Sequence, residues 1–143
     1  MDQTVREAIY RSVEKESFAR KLNMKLVELE DRYSAVEMTY DPQTMGNIYD
    51  RAHGGVIFSL IDEAFETVGQ ADGTVGVAMN VSVTYVSSPE KETVLRAEAK
   101  EISSTLPSRI MTSLTALSPA LGKSKYHPAC TVSSAVTEPG SSL

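Results

Sequence analysis

Hydrophobic residues in the first hundred positions change their spacing several times, and each change marks a new element. Between residues 3 and 22, Val5, Ile9, Val13 and Leu22, helped by Ala8, Phe18 and Ala19, recur among Arg, Lys and Glu at near-helical intervals. One apolar stripe on a charged rod predicts an amphipathic surface helix. From Lys25 to Tyr40 the interval falls to two. LVELE is followed, after Glu30-Asp31-Arg32, by Val36, Met38 and Tyr40 alternating with Glu37 and Thr39. Such alternation predicts strands with one buried face, here a hairpin turning at the charged triplet. The next segment, DPQTMGNIYDRA (41–52), combines Pro42, Gly46 and Asn47 with mixed polarity and predicts a loop.

The stretch HGGVIFSLIDEAFETVG opens on two glycines and then places Ile57, Ile61, Ala64 and Val68 on one stripe, widened by Val56, Phe58, Leu60 and Phe65. Ser59, Asp62, Glu63 and Glu66 crowd a narrow opposite sector, so the predicted helix is mostly buried. After a Gly69–Gly76 turn region, VGVAMNVSVTYVSSP sets Val77, Met79, Val81, Val83 and Tyr85 at period two until Pro89, and predicts a strand. TVLRAEAKEI predicts another, with Val94, Arg96, Glu98 and Lys100 on one face and Leu95, Ala97 and Ala99 on the other.

Beyond Ile102 the pattern thins: residues 103 to 143 hold 4 charged residues against 29 before them, and 15 Ser or Thr. RIMTSLTAL and ACTVSSAV still carry weak strand signals. We read residues 18 to 102 as the core of a single 1–143 domain and the tail as divergent, either a neutral strand pair with a flexible end or a segment altered relative to the body. A length of 143 residues suits one domain.

Charge and cysteine usage narrow the function. A net charge of -5 and a pI near 5.0 leave no basic surplus for displacing phosphate counterions, which argues against nucleic acid. The lone Cys130 excludes an internal disulfide and any cysteine-cluster metal site, and is read as an inert thiol. MDQTVREAIYRS lacks the apolar core of a secretory signal, and no run of about 18 apolar residues occurs. A soluble cytoplasmic protein, with no membrane partner, is expected. GxSxG, Walker A, GxGxxG and HExxH are all missing, and His53 and His127 are too few and too distant for a metal site. No metal and no cofactor are expected.

Asn47, His53-Gly54-Gly55 and Asp62 together resemble the hotdog-fold acyl-CoA thioesterases, specifically their PaaI-type branch associated with phenylacetate degradation. The likeness covers LNMKLVELEDRYSAVEMTYDPQ, HGGVIFSLIDEAF and VAMNVSVTYVSSP. It implies an α+β hotdog: an antiparallel sheet wrapped around one long central helix, here about His53 to Val68, with the N-terminal helix outside. It also implies a homodimer or homotetramer in which the acid of one subunit faces the glycine turn of another, and acyl-CoA as the substrate partner.

The residue types suit thioester hydrolysis. The reaction builds an oxyanion, and a helix N-terminus offers unpaired N–H groups with about half a unit of positive charge. Gly54 or Gly55 lets the backbone approach a thioester closely, and the resemblance implies the Gly54 amide as the donor. Asp62 lies at the border of the apolar stripe, where partial desolvation would raise its pKa. It acts either as the base that activates water or as a nucleophile forming a mixed anhydride. Glu63 takes that role if the register slips by one, and Asp62 on a solvated face is the plainer alternative. The resemblance assigns Asn47 to holding the water or the carbonyl, although a Gly-Asn pair is also a common turn former. His53 is either a base or, more simply, a cap that orients the helix start. Ala78 stands where the family often carries a small polar residue; Asn80 and Ser82 share its side only if the strand has no bulge. Ala78, Asn80 and Gly55 are therefore assigned to substrate binding. The expected function is hydrolysis of aryl- or medium-chain acyl-CoA. The alternatives are a non-catalytic hotdog protein that binds an acyl or aromatic ligand and, less well supported by the placement of His53, a hotdog dehydratase or hydratase.

Overall fold

A computed structural model describes residues 1–78, 80–85, 87–89, 91–105, 108–117 and 128–142, with side chains among them up to residue 102. Among the described residues, six strands form one antiparallel sheet in the order β1-β2-β4-β5-β6-β3. They are β1 (Lys25–Glu30), β2 (Tyr33–Thr39), β3 (Thr74–Val77), β4 (Val94–Thr105), β5 (Ser108–Leu117) and β6 (Pro128–Ser142). The sheet curves around helix α4 (Gly54–Gly69), which touches every one of the strands. This is the α+β architecture expected from the sequence.

Period explains the core. Val36 and Met38 of β2, then Tyr40, together with Leu95, Ala97 and Ala99 of β4, close over Ile57, Leu60, Ile61, Ala64 and Val68 of α4. The expected faces of β4 are the observed ones: Leu95, Ala97 and Ala99 are fully buried. The hairpin turns at Asp31-Arg32, with Glu30 paired to Tyr33. Ser34, wholly buried on β2, donates its hydroxyl to the Ala64 carbonyl at 2.5 Å and so ties the sheet to α4. On the polar face of the sheet, Arg96 joins three strands by ion pairs to Glu28 (2.5 Å), Glu37 (2.8 Å) and Glu98 (2.8 Å).

Three expectations need correction. The N-terminal helix is two helices, α1 (Gln3–Lys15) and α2 (Ser17–Lys21), because Glu16 between them is extended at φ -61°, ψ 124°. Residues 42–45 of the expected loop form a helical turn, α3 (Pro42–Met45). Asp41 caps it, accepting from the Gln43 amide at 2.9 Å, and Pro42 occupies the first position, where its missing N–H costs nothing. The expected strand up to Pro89 reaches the sheet only as β3; its later part lies outside any strand among the described residues, and Met79 lies outside the description. Period-two spacing still makes Val81 and Val83 pack on the core. Spacing reports an apolar side, whereas a strand also needs regular backbone pairing, which period two alone does not secure. Within the narrow polar sector of α4, Glu63 is itself buried, at 4% exposure, as suits a mostly buried helix.

Strands β5 and β6 fall where RIMTSLTAL and ACTVSSAV predicted them, and β6 continues to Ser142 in place of a flexible end. His127 lies outside the described residues, as does the Cys130 side chain. No helix among the described residues is long and apolar enough to cross a membrane.

Candidate active site

The site is built at the two ends of one stretch of α4. At its start, His53 is the N-cap, with φ -66° and ψ 131°, and its Nδ1 accepts from the Gly55 amide at 3.0 Å. This geometry favours the capping reading of His53 and engages Gly55, whose missing side chain makes room for the imidazole: an added Cβ would lie 3.1 Å from Nδ1. The Gly54 amide, at the first helical position, has no acceptor among the described residues. It is an open donor at the positive end of a 16-residue helix.

The loop before α4 is held rigid. The His53 amide donates to the Met45 carbonyl at 2.9 Å, and Gly46 bridges to Ala52. Asn47 shapes the loop through its Oδ1, which accepts from the amides of Tyr49 (2.9 Å) and Arg51 (3.1 Å). Both readings of Asn47 therefore survive in one residue: its carbonyl forms the turn, and its Nδ2 has no partner among the described residues. Ile48 and Tyr49 beside it are exposed (89% and 76%).

Tyr85 was not singled out in the sequence. Its hydroxyl donates to the Gly54 carbonyl at 3.0 Å, and a Cβ on Gly54 would sit 3.1 Å from the ring's Cζ and Oη. The ring leaves a tight fit for any side chain at this position, one that its own exposed edge can relieve by a small shift. The signal was present in the period-two run ending at Tyr85, but its contact with the helix start depends on the path of the chain.

Asp62 lies two turns further along. It is half-buried and, among the described residues, carries no hydrogen bond. Burial, and then the nearby Glu16 charge, push its pKa above the ordinary carboxylate range, in the direction the helical wheel predicted. It opens onto a groove of about 400 Å³ between α4 and β3, shared with Phe65, Glu66, Val75 and Ala78. Asn80 is exposed just beyond. A larger open hollow of about 740 Å³ lies at the β1–β2 turn, lined by Arg6, Asp31, Arg32 and Lys100, and includes no candidate site residue.

The structure therefore gathers Asn47, His53, Gly54 and Gly55 at one place and Asp62 and Ala78 at another. Eight residues of helix separate Gly54 from Asp62, about 12 Å along the axis. One carbonyl cannot reach both groups of the same chain.

No family model matches the chain. It is 36% identical over 81 residues to an Archaeoglobus fulgidus protein described as a "Putative esterase", covering 57% of this chain and 52% of that protein. The chain thus spans about half the length of that curated relative. Among solved structures it resembles the PaaI protein of the Escherichia coli phenylacetic acid degradation operon, with a TM-score of 0.86, 18% identity and coverage of 96% of this chain and 95% of that one. A hypothetical thioesterase of Streptococcus pneumoniae, solved with coenzyme A, aligns with a TM-score of 0.73 and 19% identity, over 85% of this chain and 89% of that one. A Streptococcus mutans protein bound to acetyl CoA aligns with a TM-score of 0.71 and 18% identity, over 81% and 89%. The chain has the hotdog fold of these PaaI and thioesterase-superfamily proteins.

Proposed function

We propose that the chain hydrolyses acyl-CoA thioesters, with aryl or medium-length acyl groups as the preferred class, in a site shared by two subunits. The open Gly54 amide carries this reading. A thioester carbonyl placed against it gains a hydrogen bond and the helix field as its oxygen becomes anionic. Neutral acceptors in the ground state gain less, so the interaction favours the transition state. Asn47 Nδ2 supplies a second polar contact, to the carbonyl or to the attacking water. Asp62 of the partner subunit supplies the carboxylate that activates water, its raised pKa making it a better base.

The separation of Gly54 from Asp62 along α4 supports the two-subunit arrangement. The thioesterase-superfamily fold and the coenzyme A and acetyl CoA bound to two structural relatives support the substrate class.

The test is thiol release from a panel of acyl-CoAs, including phenylacetyl-, benzoyl-, hexanoyl- and octanoyl-CoA, by the parent and by Asp62→Asn. Turnover by the parent and a loss of about 10²-fold or more in the variant are expected. Ala78, which offers only a methyl group to the groove, favours the second reading, a protein that binds such ligands without turning them over. Saturable binding with no thiol release from any substrate would establish that reading instead.

A further inference from the structure

The peptide group between Gly54 and Gly55 is held at both of its polar ends. Its N–H donates to His53 Nδ1 at 3.0 Å, and its carbonyl accepts from the Tyr85 hydroxyl at 3.0 Å. The peptide before it, which carries the open Gly54 N–H, is held at its carbonyl, where His53 accepts from the Val56 amide at 3.0 Å. With these groups engaged, the direction of the open N–H is set by its neighbours. Two glycines in succession lack the steric preferences that fix a backbone, so this first turn of α4 is soft in φ and ψ unless something else restrains it. The bonds made by His53 are local and belong to the helix start. Tyr85 comes from 31 positions further along, at the end of the alternating run whose Val81 and Val83 pack on the core. Its ring also supplies the three heavy atoms nearest to a Cβ built on Gly54, so it meets this residue by contact as well as by hydrogen bond.

We propose that Tyr85 is a positioning residue: its hydroxyl fixes the Gly54–Gly55 peptide and so aims the adjacent open amide at the oxygen of a bound thioester. The inference rests on the thioesterase reading above. A donor stabilises an oxyanion best when it is already oriented, because one that must turn during the reaction loses part of the gain to its own reorganisation. Tilting the amide is costly as well, since an N–H···O bond prefers an angle above about 150° and weakens steeply below about 120°. Tyr85 acts through the peptide it holds and takes no proton from the substrate in this role. Phenylalanine at this position keeps a ring against Gly54 and loses only the hydroxyl bond, which separates aim from packing.

The full chain and its Tyr85→Phe variant are compared for thiol release on the acyl-CoA that the parent turns over fastest, each also in a Gly54→Pro background. The backbone order parameter of Gly54 is measured alongside by NMR relaxation. Tyr85→Phe should lower kcat about tenfold, the size of one net hydrogen bond, while KM stays within about twofold. In the Gly54→Pro background no amide is left to aim, and the same substitution should change kcat by less than about twofold. A packing role would move both backgrounds alike. The Gly54 order parameter should fall in Tyr85→Phe from the rigid range near about 0.85 toward about 0.6. The proposal is overturned by an unchanged order parameter, by a Tyr85→Phe kcat within about twofold of the parent's, or by equal losses in the two backgrounds. A parent that releases no thiol from any acyl-CoA overturns the thioesterase reading instead, and the order parameter then decides by itself whether Tyr85 holds this peptide.

Discussion

Replacing Gly54 with proline removes the proposed oxyanion donor and little else. Gly54 occupies the first position of α4, where proline is well tolerated because no intrahelical bond uses that N–H. The preceding residue must be extended, and His53 already is, at φ -66°, ψ 131°. What proline adds is carbon next to Tyr85, with Cβ 3.1 Å from the ring's Cζ and Oη. That ring is 51% exposed and can yield by a few tenths of an ångström. Gly54→Ala makes the same contact while retaining the N–H and is the matched control. One oxyanion donor contributes about 2.7–4 kcal/mol, so Gly54→Pro should lower kcat about 10²- to 10³-fold relative to Gly54→Ala, with unchanged circular dichroism. The assay is thiol release on the best acyl-CoA of the panel. Mixing Gly54→Pro with Asp62→Asn chains extends it: in a symmetric dimer with shared sites, half of the random pairs carry one intact site of two, and roughly a quarter of parental activity returns. A Gly54→Pro enzyme within about threefold of Gly54→Ala would refute the role of this amide, since the predicted effect is at least tenfold larger. Absence of recovery on mixing would refute the shared site.

Further measurements test the scaffold. His53→Ala removes the cap on Gly55 and should cost about 0.5–2 kcal/mol in urea unfolding. Arg96→Met leaves Glu28, Glu37 and Glu98 facing one another across β1, β2 and β4 and should destabilise by about 2 kcal/mol, an effect that added salt reduces. Ser34→Ala removes the link from β2 to the Ala64 carbonyl, at a cost of about 1 kcal/mol by the same unfolding assay. Glu63 is pushed up to about 8 by burial first, then by Glu16, Glu66 and Asp62. The native state therefore keeps a proton that the unfolded chain, at the ordinary value of 4.5, has released. Stability is full below that ordinary value and falls as pH rises toward 8, by roughly 3 kcal/mol between about pH 5 and 8. Glu63→Gln should flatten this dependence, and an unchanged slope would count against it.

The helix α4, the hairpin and β4 were legible because each buries one face, and burial imposes a period of 3.6 or 2 on the sequence. The same wheel placed Asp62 at a border and anticipated its desolvation. Local chemistry was legible too: two glycines after a histidine at a helix start marked the open amide. The capped turn of α3 was missed because Asp41 and Pro42 act over four residues, too few for any periodicity to show.

Only the tertiary structure decided which partners these elements meet. Tyr85 reaches the Gly54 carbonyl across 31 positions, and Glu16 meets Glu63 and Glu66 because a single extended residue redirects the chain. Neither contact repeats along the sequence, so neither leaves a pattern in it. The length of α4 likewise sets Gly54 and Asp62 about 12 Å apart along its axis, a spacing that decides which groups one ligand can meet and that no periodicity reports.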